Sequence, residues 1–317
     1  MRRIVYLSPF YRAEITGGIK TAFRHVELLR AMGIDASVFA PDGMPSWFSS
    51  KAALNAKATL NAMGDLLSDE ANPLVFPEIL RGPLAQAARA AGPAAKALLC
   101  QNQYCVFNEL IPRFTFEQLG FVKLMTVSNV ARRFLERVFA PATFAVLPVW
   151  IDETMFFPRR KQLRIAVIPR KLPEQYEMVR NVFLAKFPRL RHVPWDVIVD
   201  TSEAEVAEKL GHAAVLLSLN NMESVGLVPL EAMASGCVVV GFHGYGGLEY
   251  ATEANGVWTR PDYLEETADA LAAALTGIER GDERWQGMRE AGEATARRFN
   301  RKTLEEALKN AFAAGDI

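Results

Sequence analysis

Ile4-Val5-Tyr6-Leu7-Ser8-Pro9, followed by Thr16-Gly17-Gly18, the spaced residues Phe23, Val26, Leu29 and Met32, and then Gly33 and Asp35-Ala36-Ser37-Val38-Phe39-Ala40, decides the fold. The first run is short, apolar and closed by Ser-Pro, which reads as a strand and its stop. The next apolar residues recur every three or four positions, the spacing of one helical face. Gly33 stands where a helix ends, since glycine takes the left-handed C′ conformation without a Cβ penalty. Extended residues then resume over 35–40. Strand, glycine loop, helix and strand within forty residues are the βαβ grammar of a parallel sheet, so the class is α/β.

The same alternation continues outward. Strands are expected at 74–76, 97–101, 122–127 and 144–147, with helices at 84–91 and 128–138; Ser128 reads as a helix N-cap. Further strands are expected at 163–168, 195–199, 214–219 and 237–242. Helices are expected at 174–187, 203–210 and 227–234, with a helical, alanine-rich tail from Leu264. The basic stretch Pro158-Arg159-Arg160-Lys161 reads as an interdomain linker. The expectation is two Rossmann-like domains, residues 1–150 and 151–300, whose strand-end loops face each other across a cleft. A tail, 301–317, is expected to cross back to the first domain. Residues 43–70 are less legible. Trp47, Phe48 and the stretch 51–63 read as ordinary packing, with contact to an acceptor or a membrane surface as the alternative.

Composition narrows the function classes. A chain of 317 residues suggests two domains. Thirty-six basic residues balance thirty-six acidic ones, so no global field favours nucleic acid, and any phosphate site must be local. No apolar run approaches the roughly 20 residues of a membrane span, and the N-terminus turns polar too early for a signal peptide. The expected location is the cytoplasm, with peripheral contact to the inner membrane face as an option. Cys100, Cys105 and Cys237 are too few for a disulfide framework or a four-cysteine zinc site, and reduced thiols are expected. The chain contains no Asp-x-Asp, so a carboxylate-held divalent metal is not expected.

The chemistry is carried by Glu223-Ser224-Val225-Gly226-Leu227-Val228-Pro229-Leu230-Glu231-Ala232-Met233-Ala234-Ser235-Gly236, which reads loop, helix and small-residue turn before a strand. If a helix starts near Leu227, Gly226 lets a ligand approach the backbone. The free N–H groups of the first turn then form an anion seat suited to a diphosphate. Glu231, one turn into the helix, can accept hydrogen bonds from the vicinal hydroxyls of a ribose, and Glu223 on the loop can reach a sugar.

This segment resembles the E-x7-E signature of retaining glycosyltransferases of the GT-B fold, most like family 4, with its E-A-M-A-x-G continuation. Gly17 and Gly18 with the helix behind them resemble the family's N-terminal glycine loop. Leu147-Pro148-Val149-Trp150-Ile151-Asp152 resembles its interdomain segment. The resemblance covers most of the chain, with poor cover over 43–95. It implies that Glu231 holds the donor ribose, Glu223 the transferred sugar, and the Gly226 and Leu227 amides the sugar or diphosphate. It also implies that the Gly17-Gly18 loop lies beside the donor.

The family's diphosphate-neutralising arginine and lysine, five positions apart, fall here on Arg170 and Gln175, with Lys171 as the nearby cation. The first-domain histidine common in the family has no counterpart between His25 and His192. Asn102, Gln103 and Tyr104, following Gln101, stand at the corresponding strand end as acceptor or sugar contacts, and His243 lies on a glycine-rich loop at the expected cleft. His25 reads as a surface or interface histidine. The implied activity is metal-independent retaining transfer of a hexose from a nucleotide-sugar, UDP- or GDP-linked, to a hydroxyl acceptor in glycan assembly. In that chemistry the leaving diphosphate assists the acceptor's proton. A non-catalytic nucleotide-sugar-binding protein, or another GT-B enzyme such as an epimerase, stays open beside it.

Overall fold

The computed structural model describes residues 2–8, 15–54, 63–107 and 110–312. The chain divides into two compact units, one of Met1–Val149 with Lys302–Ile317 and one of Trp150–Arg301. In chain order the first unit contains β1 (Ile4–Leu7), α1 (Gly17–Ala31), β2 (Ala36–Phe39), α2 (Met63–Leu67), β3 (Leu74–Pro77), α3 (Pro83–Arg89), β4 (Lys96–Cys100), β5 (Phe121–Thr126), α4 (Asn129–Val138) and β6 (Ala145–Val146). Its strands are all parallel, in the order β2-β1-β3-β4-β5-β6. Every residue of β1 to β4 is buried, which is why these strands read as continuous apolar runs.

The second unit contains β7 (Gln162–Val167), α5 (Pro173–Lys186), β8 (Trp195–Val197), α6 (Glu203–His212), β9 (Ala213–Asn220), α7 (Leu227–Ala234), β10 (Val238–His243), β11 (Val257–Trp258), α8 (Leu264–Glu279) and α9 (Glu283–Ala296). Its parallel sheet runs β11-β10-β9-β7-β8. The core packs Ile165, Val215, Leu217 and Val240 of the sheet against Val179 and Phe183 of α5 and Leu271 and Leu275 of α8. Both sheets share one topology: the first strand lies between the second and the third. The order therefore reverses between β1 and β3 in one unit and between β7 and β9 in the other. Open α/β sheets bind ligands at the carboxyl ends of strands at such a switch point.

A last helix, α10 (Arg301–Ala311), belongs to the first unit from Lys302 onward. Leu304, Leu308 and Ala311 are buried, Lys123 Nζ donates to the Ala311 carbonyl, and the Phe312 ring meets Tyr6 at 6.3 Å.

Several expectations change. The basic stretch 158–161 is not a linker but part of the second unit. Arg159 Nη1 donates to Ala207 O (3.0 Å), and Lys161 Nζ donates to Leu210 O (3.0 Å) and Ala213 O (2.8 Å). Lys161 there satisfies the Leu210 carbonyl, one of those that the C-terminus of α6 leaves open, and the Ala213 carbonyl at its cap. Gly17 and Gly18 are not a loop; they are the first two residues of α1, capped by the Thr16 side chain. His25 is not at the surface but fully buried on α1. In the stretch 43–70, Phe48 is buried edge-on to Phe23 at 5.4 Å, Val38 N donates to Ala53 O, and Met63 is buried, so these residues pack. Residues 55–62 lie outside the described part. Ser128 caps α4, accepting from Ala131 N at 3.1 Å, as expected.

Candidate functional site

In the second unit the sequence-predicted residues gather at the switch point. Beyond β7 the chain turns, with Leu172 N donating to Pro169 O at 2.9 Å, so Arg170 and Lys171 sit exposed on a turn. That turn removes the alternation that would point adjacent strand residues to opposite sides. Lys171 Nζ is ion-paired with Glu223 Oε1, which stands beyond the end of β9. The pair joins two loops 52 residues apart in sequence at the reversal of strand order.

Gly226 adopts φ 80°, ψ 90°, a left-handed conformation that a Cβ would strain, and α7 begins at the next residue. No side chain caps α7, so its first-turn N–H groups are available to an anion. Glu231 is 5% exposed beneath this turn, whereas Glu223 is only half-buried. Gln175 lies on α5, where the resemblance placed a lysine.

A second loop is stacked directly on the first. Tyr245 N donates to Asn221 O at 3.3 Å. A Cβ on Gly244 would come within 2.4 Å of Asn221 O, and one on Gly246 within 2.4 Å of Ser224 C and Val225 N. Glycines are thus required here by close approach of two backbones. His243 ends β10 half-buried, its Nδ1 2.5 Å from Gly244 O and its ring edge-on to Trp258. It adjoins the glycine loop that supports Glu223.

The first unit carries a separate cluster at the ends of β3 and β4. Gln101 Nε2 donates to Gly18 O at 3.1 Å, tying α1's first turn to the end of β4. Asn102 Oδ1 accepts from Tyr104 N at 3.0 Å, and the Tyr104 ring packs on Phe134. Asn102 and Tyr104 are half-buried and accessible. Gln103 is 0% exposed, which corrects its expectation as a sugar or acceptor contact: the turn directs it into the core.

Sequence reading missed Glu78, just beyond β3. It is buried, accepts from Asn102 N at 2.9 Å, and is pushed by that burial up to about 7 from 4.5, with backbone hydrogen bonds opposing the shift. A carboxylate directly after a parallel strand was the available signal. Because Glu78 is raised in the folded state, its contribution to stability is full below about 4.5 and declines as pH rises to about 7. The decline amounts to roughly 3 kcal/mol at about 1.4 kcal/mol per pKa unit. Glu78→Gln keeps an acceptor for Asn102 and removes the charge. The stability difference between variant and wild type, read from denaturant midpoints, is expected to grow in the variant's favour by that amount from pH 4.5 to 7.5; a difference that stays constant contradicts this assignment.

Among the described residues no cluster of three or more His, Cys, Asp or Glu is placed to hold a metal ion, and no helix is long and apolar enough to cross a membrane. The three cysteines are free thiols.

Two parallel-sheet α/β units, each doubly wound, are the architecture of GT-B glycosyltransferases. Residues 196–295, within the second unit, match the family model for Glycosyl transferases group 1, so this unit carries a group 1 glycosyltransferase domain. The chain is 24% identical over 239 residues to an alpha-1,6-glucosyltransferase of Actinobacillus pleuropneumoniae serotype 7 (strain AP76), covering 74% of this chain and 72% of that protein. Its fold is similar to that of sucrose-phosphate synthase from Thermosynechococcus elongatus (TM-score 0.67, 15% identity, 98% of each chain). It is also similar to that of TarM from S. aureus (TM-score 0.62, 13% identity), whose mutant was solved with UDP, fondaparinux and alpha-GlcNAc-glycerol. That match covers 80% of this chain but 58% of TarM, so this chain spans a little over half of TarM's length. At these identities the likeness to solved structures bears on fold.

Proposed function

We propose that this protein is a retaining glycosyltransferase that moves a hexose from a UDP- or GDP-linked donor to a hydroxyl acceptor, without a metal, in glycan or glycoconjugate assembly. The observation that carries the reading is the meeting of Lys171, Glu223, Gly226 and the uncapped start of α7 at the β7/β9 switch point. In this reading the first-turn amides of α7, with Arg170 and Lys171, receive the diphosphate, and Glu231 accepts from the ribose hydroxyls. A doubly charged phosphate competes with Glu223 for Lys171 and leaves the Glu223 carboxylate free for the sugar's hydroxyls. As the bond from C1 to the phosphate oxygen breaks, negative charge grows on the diphosphate. The acceptor oxygen bonds to C1 on the same face, and its proton passes to the departing phosphate oxygen. Preorganised donors aimed at that developing charge each contribute on the order of 10² to 10³ in rate. In the first unit, Asn102 and Tyr104 offer polar contacts for the acceptor, and Gly17 and Gly18 contribute the start of α1.

A non-catalytic nucleotide-sugar-binding protein is the second reading, favoured by the neutral Gln175 on α5 where the resemblance expects a cation. Calorimetry and thermal shift with UDP, GDP, ADP and their sugars, on wild type and Glu231→Ala, with and without EDTA, test both. The expected result is one nucleotide that binds wild type, binds Glu231→Ala at least tenfold more weakly, and ignores EDTA, with sugar transfer detectable. Binding without any transfer or hydrolysis favours the second reading; no binding by any nucleotide removes both.

A further inference from the structure

Tyr250 follows the Gly246–Glu249 turn and is buried, yet its hydroxyl reaches the site, donating to the Gly226 carbonyl at 3.3 Å. Its ring lies edge-on to Phe299 at 6.0 Å and to Trp258 at 6.3 Å, and its own carbonyl accepts from Asn255 Nδ2 at 2.7 Å. Asn255 is itself held by Thr295 and by the Trp258 indole. The hydroxyl is therefore presented from a side chain fixed at ring and backbone.

The bond it makes has a directional consequence. Gly226 C=O and Leu227 N–H belong to one planar trans peptide, in which the oxygen and the hydrogen point in opposite directions. Holding the oxygen therefore aims the hydrogen. Gly226 is the N-cap of α7: its carbonyl also takes the first bond of the helix, and having no side chain it adds nothing else to fix that plane, so among the described residues Tyr250 is the one donor to it from outside the helix. Leu227 is the first residue of α7, and its N–H has no partner inside the helix.

We propose that Tyr250 is a positioning residue that holds the Gly226–Leu227 peptide plane, so that the Leu227 N–H points into the anion seat and receives the terminal phosphate of a nucleoside diphosphate. This rests on the donor-site reading above and adds the group that orients one of its donors. Tyr250 touches neither donor nor acceptor.

The test is Tyr250→Phe, which retains the ring packing and removes only the hydroxyl. Two measurements are made on the full chain. Without nucleotide, the backbone 15N order parameter of Leu227 is expected to fall from the rigid range of about 0.85 to about 0.6 in the variant, while those of β9 and α8 are unchanged. With UDP and UMP, or GDP and GMP if wild type selects guanine, the variant is expected to bind the diphosphate about tenfold more weakly and the monophosphate within twofold, since only the diphosphate carries the outer phosphate. A simple loss of folding would weaken both ligands alike and lower order parameters throughout. An unchanged Leu227 order parameter, or equal weakening of both nucleotides, overturns the proposal. If wild type binds no nucleotide, the donor reading and the phosphate half of this proposal fall together, while the order parameter still decides whether Tyr250 holds the peptide.

Discussion

Gly246→Ala is expected to cut sugar transfer by on the order of 100-fold while leaving the protein folded. The added Cβ would lie 2.4 Å from Ser224 C and Val225 N and 2.7 Å from Glu223 O, all backbone atoms with no rotamer to escape into. Ordinary contact needs about 3.4 Å or more, so one of the two stacked loops must move by about 1 Å. The 221–225 loop, which includes Glu223 and leads into Gly226 and α7, is expected to be the one that yields. A displacement of that size at a positioned reacting group costs on the order of 10² in rate. The hydrophobic core of this unit, around Ile165, Val215, Val240 and Leu271, lies away from the loop, so the stability loss is expected at about 1–3 kcal/mol. Gly287→Ala on α9 is the control, since nothing lies within 4 Å of its added methyl and glycine within a helix is replaced at a gain of up to about 1 kcal/mol. Transfer assays with denaturant melts on both variants decide it. Wild-type transfer by Gly246→Ala would show that the stacked glycine loop does not set the position of Glu223.

The second large effect concerns acid. His25 is fully buried on α1, with Nδ1 3.3 Å from Tyr6 Oη, and burial lowers it from 6.5 to about 3. The folded protein keeps this ring neutral, whereas the unfolded chain protonates it near 6.5. Its contribution is therefore complete above pH 6.5 and is lost as pH falls toward 3, at about 1.4 kcal/mol per unit, or roughly 5 kcal/mol over the whole range. A domain's entire stability is commonly about 5–15 kcal/mol, so this residue by itself removes a large share of the first unit's stability in acid wherever nothing offsets it. Glu78 acts with the opposite sign, losing stability as pH rises from about 4.5 to about 7. Between 4.5 and 6.5 the two nearly cancel, and wild type is expected to look flat there. In a Glu78→Gln background the histidine slope should emerge, and adding His25→Leu should remove it. Denaturant midpoints from pH 4 to 8 measure this; an acid limb indifferent to His25→Leu would assign acid sensitivity to other groups.

Much of the fold was legible from single residues. The run 4–7, the helical spacing from Phe23 to Met32, and Gly33 located β1, α1 and the start of β2. Leu227 to Ala234 was readable as α7 because Gly226 and Gly236 flank an apolar run. The two-residue strand β11 and the five-residue α2 escape such reading, because periodicity needs more residues than they contain, whereas the expected strand at 144–147 does contain β6. The basic run 158–161 misled because positive charge and proline mark a linker as readily as they mark cations bonded to the end of a helix. Gln103 and His25 misled because polarity states a preference for water, and burial is decided by what the rest of the chain puts around a residue.

In the candidate site the same division holds. Glu223, Gly226, Leu227 and Glu231 lie close together in one stretch, so their relation follows from helix geometry and the sequence alone determined it. The pairing of Lys171 with Glu223 joins the ends of β7 and β9, and the bond from Tyr250 to Gly226 spans 24 residues. The close stacking of residues 244–247 on residues 221–225 depends on two loops meeting above neighbouring strands. These contacts were decided by the tertiary structure: the order of strands in a sheet brings distant loops together, and no local spacing encodes that order.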